Sequence, residues 1–215
     1  IEQHYKPVIE AGCIPLTLGG DHTIALPILR AMKAKHGPVA LIHVDAHADV
    51  NPDMFGERIA HGTPFRRAVE EGLLIEDKSL HVGIRGPLYD QQDLINDKNF
   101  GFSTVRAADF DRMGVDEVIG LARKRVGDSP MYLSIDIDVL DPAFAPGTGT
   151  PEMGGFTSRE LLNLVRGMPR EQMIGADIVE VAPAYDHAEI TSLAAATLAY
   201  EIMSLMALNV TDKKG

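Results

Sequence analysis

A chain of 215 residues with 45% apolar and 24% charged side chains has the size and composition of one globular domain. Its formal net charge of −11, from 20 Lys and Arg against 31 Asp and Glu, argues against a nucleic-acid binder and is compatible with a cationic ligand or metal ions. The single cysteine, Cys13, cannot close an internal disulfide, no signal-peptide pattern is present, and no uninterrupted apolar run reaches the ~20 residues of a membrane span, so a cytoplasmic protein without membrane contact is expected.

Residues 1–11 read as a helix, with Ile1, Tyr5, Val8 and Ile9 near helical spacing. A chain that opens on Ile1 inside such a pattern is expected to lack an N-terminal piece of its fold. Residues 14–18 read as a strand ending in Gly19-Gly20, and a helix follows over 23–36. Residues 39–44 form the next apolar strand, and a long polar loop covers 45–60. Thr63 has the character of an N-cap, with Pro64 at the first position of a helix that runs to residue 71. Strands are expected over 80–84 and 100–105, with a helix over 87–97 between them, and a helix over 115–126 is closed by Gly127.

The strand at 131–137 leads into a Pro- and Gly-rich loop over 138–156. Thr157 and Glu160 then fit a capping box, 173–181 is a strand, and 190–208 a final helix whose methionines read as core. No repeat or linker divides the chain, so one domain over 1–215 is expected. The β-α alternation implies a parallel sheet with helices on both faces, and ligands in such sheets bind beyond the carboxyl ends of the strands. His22, the stretches 45–51 and 136–141, and Glu180 all close or follow apolar strands, where that rule puts a site.

The sharpest feature is Asp45-Ala46-His47-Ala48-Asp49, which offers three ligand groups at alternate positions, on one side of an extended chain. Two carboxylates so close repel unless a cation or shared proton relieves them, although a solvated strand-end loop has the same look. Asp136 and Asp138 repeat the spacing after a second strand, and alone they equally suit a sheet-edge charge pair. Gly19-Gly20-Asp21-His22 alone is a glycine turn with Asp21 capping a helix. Together these segments supply four carboxylates and two imidazoles without a thiolate, a donor set suited to two hard or borderline divalent ions such as Mn²⁺. Two bridging carboxylates would hold such ions about 3.5 Å apart around a shared water.

Three motifs in this order resemble the signatures of the ureohydrolases, the family of arginase, agmatinase and guanidinobutyrase: Leu18-Gly19-Gly20-Asp21-His22, Asp45-Ala46-His47-Ala48-Asp49, and the segment 134–155. The likeness runs from about Cys13 to the C-terminus. It implies the arginase/deacetylase-like fold, three αβα layers around a central, mainly parallel sheet. It also implies that Asp45 and Asp136 bridge two Mn²⁺ ions, that His22 and Asp49 complete one site, and that His47 and Asp138 complete the other. His61 would shuttle protons, Glu180 would pair with the substrate guanidinium, and Thr150 would support it. A homo-oligomer, trimer or hexamer, is the quaternary state that the family suggests.

Arg85-Gly86-Pro87 stands where arginases carry an acidic motif for the substrate's α-amino group, which directs the resemblance to the agmatinase branch. Asn51 matches a position that contacts a substrate carboxylate in arginases, so guanidinobutyrase- or guanidinopropionase-type activity stays open beside agmatine hydrolysis to putrescine and urea. A guanidinium is a poor electrophile, and metal coordination brings a water's pKa from about 15.7 to about 7, which makes a nucleophile available at neutral pH. Asp49 would pass its proton to the leaving nitrogen. The rivals are a metal-dependent amide deacetylase of the same fold and a catalytically silent subunit; the complete set of six ligand positions speaks against the first. His43 and His81, inside strands, read as packed core or as supports of the ligands; His4 and His36 as helix surface; His187 as a candidate for the pocket mouth.

Overall fold

The computed structural model describes residues 1–87 and 97–212. Six strands form one sheet in the order β1-β6-β5-β2-β3-β4, and every neighbouring pair is parallel. They are β1 (Leu16–Leu18), β2 (Ala40–Val44), β3 (Ser79–Ile84), β4 (Phe102–Arg106), β5 (Met131–Asp136) and β6 (Met173–Val179). Strands β2, β3 and β5 are buried along their whole length, as strands covered on both faces must be, and this is why they read as near-continuous apolar runs.

The period-2 geometry of each strand sorts its residues between two cores. Ile42, Val44, Leu80, Val82, Leu133 and Ile135 point toward α4 (Ala107–Met113), α5 (Val115–Val126), α6 (Ser158–Arg166) and α7 (Ile190–Asp212). Leu41 and Tyr132 point the other way, into a core filled by α1 (Glu2–Glu10), α2 (Ala25–His36) and α3 (Pro64–Glu70). The result is the three-layer αβα arrangement expected from the sequence, with a sheet that is parallel throughout the described residues.

The capping box of α6 is present in full: Thr157 Oγ1 accepts from the Glu160 amide, and the Glu160 carboxylate accepts from the Thr157 amide. Thr63 behaves differently from expectation. Its hydroxyl donates to the carbonyls of Arg58 and Ala60 and accepts from the Ala60 amide, so it closes the loop before α3 instead of capping the helix. Helix α4 was not expected; the helix foreseen over 87–97 falls largely on residues 88–96, which lie outside the described residues. Helix α7 extends past its expected end and, by length and composition alone, could cross a membrane. Here its stripe of Leu198, Ile202, Leu205 and Met206 is buried against the sheet, while Met203 faces outward.

Candidate metal centre

Strands β2 and β5 lie side by side at the middle of the sheet, where the chain order turns from β3 and β4 on one side to β6 and β1 on the other. Side chains that leave the carboxyl ends of neighbouring strands converge above such a switch point. Asp45, Asp49, Asp136, Asp138 and His22 are all buried there, and His47 is about one quarter exposed, at 26%. The six sequence-predicted ligand residues thus come together from three segments.

They form two groups that share Asp45. His22 Nδ1 lies 3.2 Å from Asp45 Oδ2, 3.0 Å from Asp49 Oδ2 and 3.4 Å from Asp136 Oδ2. His47 Nδ1 lies 3.0 Å from Asp138 Oδ2 and 3.5 Å from Asp45 Oδ1. The two oxygens of Asp45 therefore face different imidazoles, an arrangement that suits a carboxylate between two cations. Asp49 holds its place at φ 54° and Glu180 at φ 62°, left-handed conformations that cost roughly 1 kcal/mol or more each in residues other than glycine. Gly86 passes so close to His47 that a Cβ there would lie 2.5 Å from the ring, so the absent side chain leaves the imidazole room.

The surroundings fix the orientation of these groups. His22 Nε2 is 2.8 Å from Ser134 Oγ, whose hydroxyl donates to Asp177 Oδ1 at 2.7 Å, while Tyr132 donates to Asp177 Oδ2 at 2.7 Å. With Ser134 committed to Asp177, His22 donates through Nε2, so in the neutral ring its Nδ1 is a lone pair. That atom is buried and has no hydrogen-bond partner. An unpartnered nitrogen aimed at three carboxylate oxygens, beside an oxygen-rich donor set without sulfur, fits a divalent cation.

The electrostatics of the cluster agree. Burial first, then the charge of Asp45, push Asp49 up to about 6 and Asp138 up to about 7, and raise Asp136 well above the ordinary range. Burial would lower His47, but hydrogen bonds with Asp138 and Asp45 push it up to about 12. Without a cation, the buried negative charge gathers protons; a pair of divalent ions would replace them.

The centre floors a cavity of about 580 Å³ whose lining includes Asn51, His61, Thr150, Glu152, Glu180 and Arg106. Glu180 Oε1 accepts from the His22 amide at 2.7 Å, so the Gly20–His22 turn fixes the carboxylate beside the metal groups. Thr150 lines the same wall, but its hydroxyl donates to Asp138 Oδ2 at 3.2 Å, which makes Asp138 the carboxylate it supports. His61 is exposed on the cavity wall, and His187 is exposed but not part of the lining. His43 and His81 are fully buried, and His43 Nε2 lies 2.7 Å from Asp45 Oδ2.

Glu152 and Arg106 escaped the sequence reading, and Arg85 was read only as a departure from arginases. Glu152 approaches His47 Nε2 to 3.6 Å. Arg106 lines the cavity and makes no ion pair among the described residues. Arg85 turns its guanidinium away from the cavity and donates to the carbonyls of Gly83, Asp138, Val139, Leu140, Glu152 and Met153, clamping the 138–156 loop over the centre.

A model of the Arginase family matches residues 1–205. The chain is 51% identical to guanidinobutyrase of Pseudomonas aeruginosa across 96% of its own length and 65% of that protein's. It is 46% identical to the mitochondrial agmatinase of Gallus gallus across 96% of its length and 61% of the relative's. It therefore spans less than two thirds of either curated relative. Among solved structures, proclavaminate amidino hydrolase of Streptomyces clavuligerus superposes with a TM-score of 0.88 at 41% identity, over 97% of this chain and 68% of that one.

Proposed function

The chain belongs to the arginase family, and from that premise we propose that it hydrolyses a linear guanidino compound to urea and an amine at a pair of manganese ions. The observation that carries the reading is the division of Asp45 between two imidazole–carboxylate groups at the floor of a cavity that also holds Glu180. Asp45 and Asp136 would be shared by both ions, with His22 and Asp49 on one and His47 and Asp138 on the other. When bound, the ions supply a water acidified to a pKa of about 7 as the nucleophile.

The rest of the chemistry falls to this chain's own side chains. Glu180, tethered by the His22 amide, binds and orients the guanidinium, and its charge favours a cation over an anionic phosphoester. Asp49, held in its left-handed conformation, carries the proton to the leaving nitrogen. His61, exposed on the cavity wall, exchanges protons with solvent. The Arg85 clamp keeps the 138–156 loop closed above the reacting end.

Agmatine is the substrate favoured by the family branch. A second reading of the substrate tail, an ω-guanidino acid such as 4-guanidinobutyrate, is favoured by Arg106, a cation on the cavity wall with no described partner for its charge. Urea release from agmatine, 4-guanidinobutyrate, 3-guanidinopropionate and arginine, with manganese and after chelation, tests the proposal. Manganese-dependent urea from at least one of the four is expected. No urea from any, in protein that binds two manganese ions per chain, would overturn it.

A further inference from the structure

One row of the sheet is polar from edge to edge. In register across the six strands, Thr17 pairs with Asp177, Asp177 with Ser134, Ser134 with His43, His43 with His81, and His81 with Thr104. Asp177, Ser134, His43 and His81 are each 0% exposed. Burying such a row costs stability unless its members satisfy one another, and it lies two residues below Asp45 on β2 and two below Asp136 on β5. The Ser134 half of the row orients His22. On the other side His43 bonds Asp45 directly, while His81 makes no hydrogen bond to a predicted ligand and reaches one only through His43.

Asp45 Oδ2 is 2.7 Å from His43 Nε2, and His43 Nδ1 is 2.7 Å from His81 Nδ1. An ionised carboxylate only accepts, so His43 must carry its proton on Nε2 to bond it. His43 is shut off from solvent, where an uncompensated charge is costly, so the ring is neutral and has that one proton to give. Its Nδ1 is then a lone pair, and the contact with His81 is a bond only if His81 Nδ1 carries a proton. Stacking on Phe102, with ring centroids 4.1 Å apart and planes at 26°, fixes the His81 ring in the orientation that presents this atom. The chain of donors runs in one direction, from His81 through His43 to the Asp45 oxygen that faces His22.

We infer that His81 is a positioning residue for the shared carboxylate, holding His43 in the one tautomer that can donate to Asp45 Oδ2. Without that donor, His43 is free to move its proton to Nδ1, and the oxygen on the His22 side loses its support. The inference rests on the dinuclear reading of the centre for its consequence, but not for the tautomer itself.

The test compares the parent with His81→Leu, which removes the donor, and His81→Gln, whose amide can restore it. Manganese titration calorimetry on chelator-treated protein should find one of two binding events weakened about tenfold to a hundredfold in His81→Leu, and recovered in His81→Gln. Equal affinity in all three proteins would overturn the inference, as would equal losses in both variants, since a purely structural role gains nothing from a replaced donor. ¹⁵N shifts of the His43 ring give a readout that needs no metal. The parent should carry the proton on Nε2, and His81→Leu should shift it toward Nδ1; an unchanged tautomer would overturn the inference. A parent that takes up no manganese while its His43 tautomer still depends on His81 would sink the dinuclear reading and leave the positioning role standing.

Discussion

Replacing Ser134 by Ala removes one oxygen from the most buried part of the molecule, and its consequences can be worked out bond by bond. Two hydrogen bonds disappear, His22 Nε2 to Ser134 Oγ at 2.8 Å and Ser134 Oγ to Asp177 Oδ1 at 2.7 Å. All three residues are 0% exposed, so water cannot replace the lost partner without a cavity larger than one hydroxyl. The His22 N–H and one Asp177 oxygen are stranded, each at about 1–3 kcal/mol, while Tyr132 still serves the other oxygen. The sum is a destabilisation of about 2–6 kcal/mol, which in a domain of this size lowers Tm by about 2–4 °C per kcal/mol. His22 also loses the acceptor that fixes its tautomer, so manganese affinity should fall about tenfold or more. Thermal unfolding of the metal-free protein and calorimetric titration with manganese measure the two effects separately. A variant that melts within a degree of the parent and binds manganese equally well would refute the reasoning about the buried row.

Three further outcomes are expected. His61→Asn should slow urea release at least tenfold while leaving two manganese ions per chain by elemental analysis; loss of metal would show that His61 is a ligand and not a proton carrier. Arg85→Met removes the donors to five carbonyls of the 138–156 loop, and should raise proteolytic cutting there and lower kcat/KM without disordering the sheet; an equally resistant loop would mean that other contacts hold it. For pH, burial and the charge of Asp45 raise Asp49 to about 6 and Asp138 to about 7 in the folded chain. A carboxyl raised in this way contributes stability below its unfolded value of about 3.9, and the contribution is lost as pH climbs through 6 to 7. A bound cation replaces those protons, so the Tm difference between manganese-loaded and chelated protein should widen from about pH 5 to pH 8. A difference that stays flat across that interval would contradict the assigned charges.

The parts of the molecule that could be read from its sequence are those whose signal is local. β2 and β5 are buried on both faces, so their apolar runs are unbroken, and the acidic residues that end them stand out. The α6 capping box lies within four residues and is present as read. Helix α4 was missed because its seven residues bury only Ala107 and Phe110, too few to set a helical period. Thr63 was misread because its hydroxyl donates to carbonyls of the preceding loop and accepts from the Ala60 amide there, instead of accepting from an amide of the helix. The contact of His43 with His81 depends on cross-strand register, and that of Glu152 with His47 on a loop folding back over the site. Neither distance is encoded in spacing along the chain. Arg85 drew attention as a point of difference from arginases, but its work as a loop clamp follows from carbonyls more than fifty residues away.

The claim on which the account turns is that two cations share Asp45 and Asp136 at the floor of the cavity. Anomalous diffraction at the manganese edge, from crystals of the manganese-loaded protein, tests it most directly. Two peaks about 3.5 Å apart are expected, one against His22 Nδ1 and the other against His47 Nδ1. A single peak, or two that do not touch Asp45 in common, would contradict it.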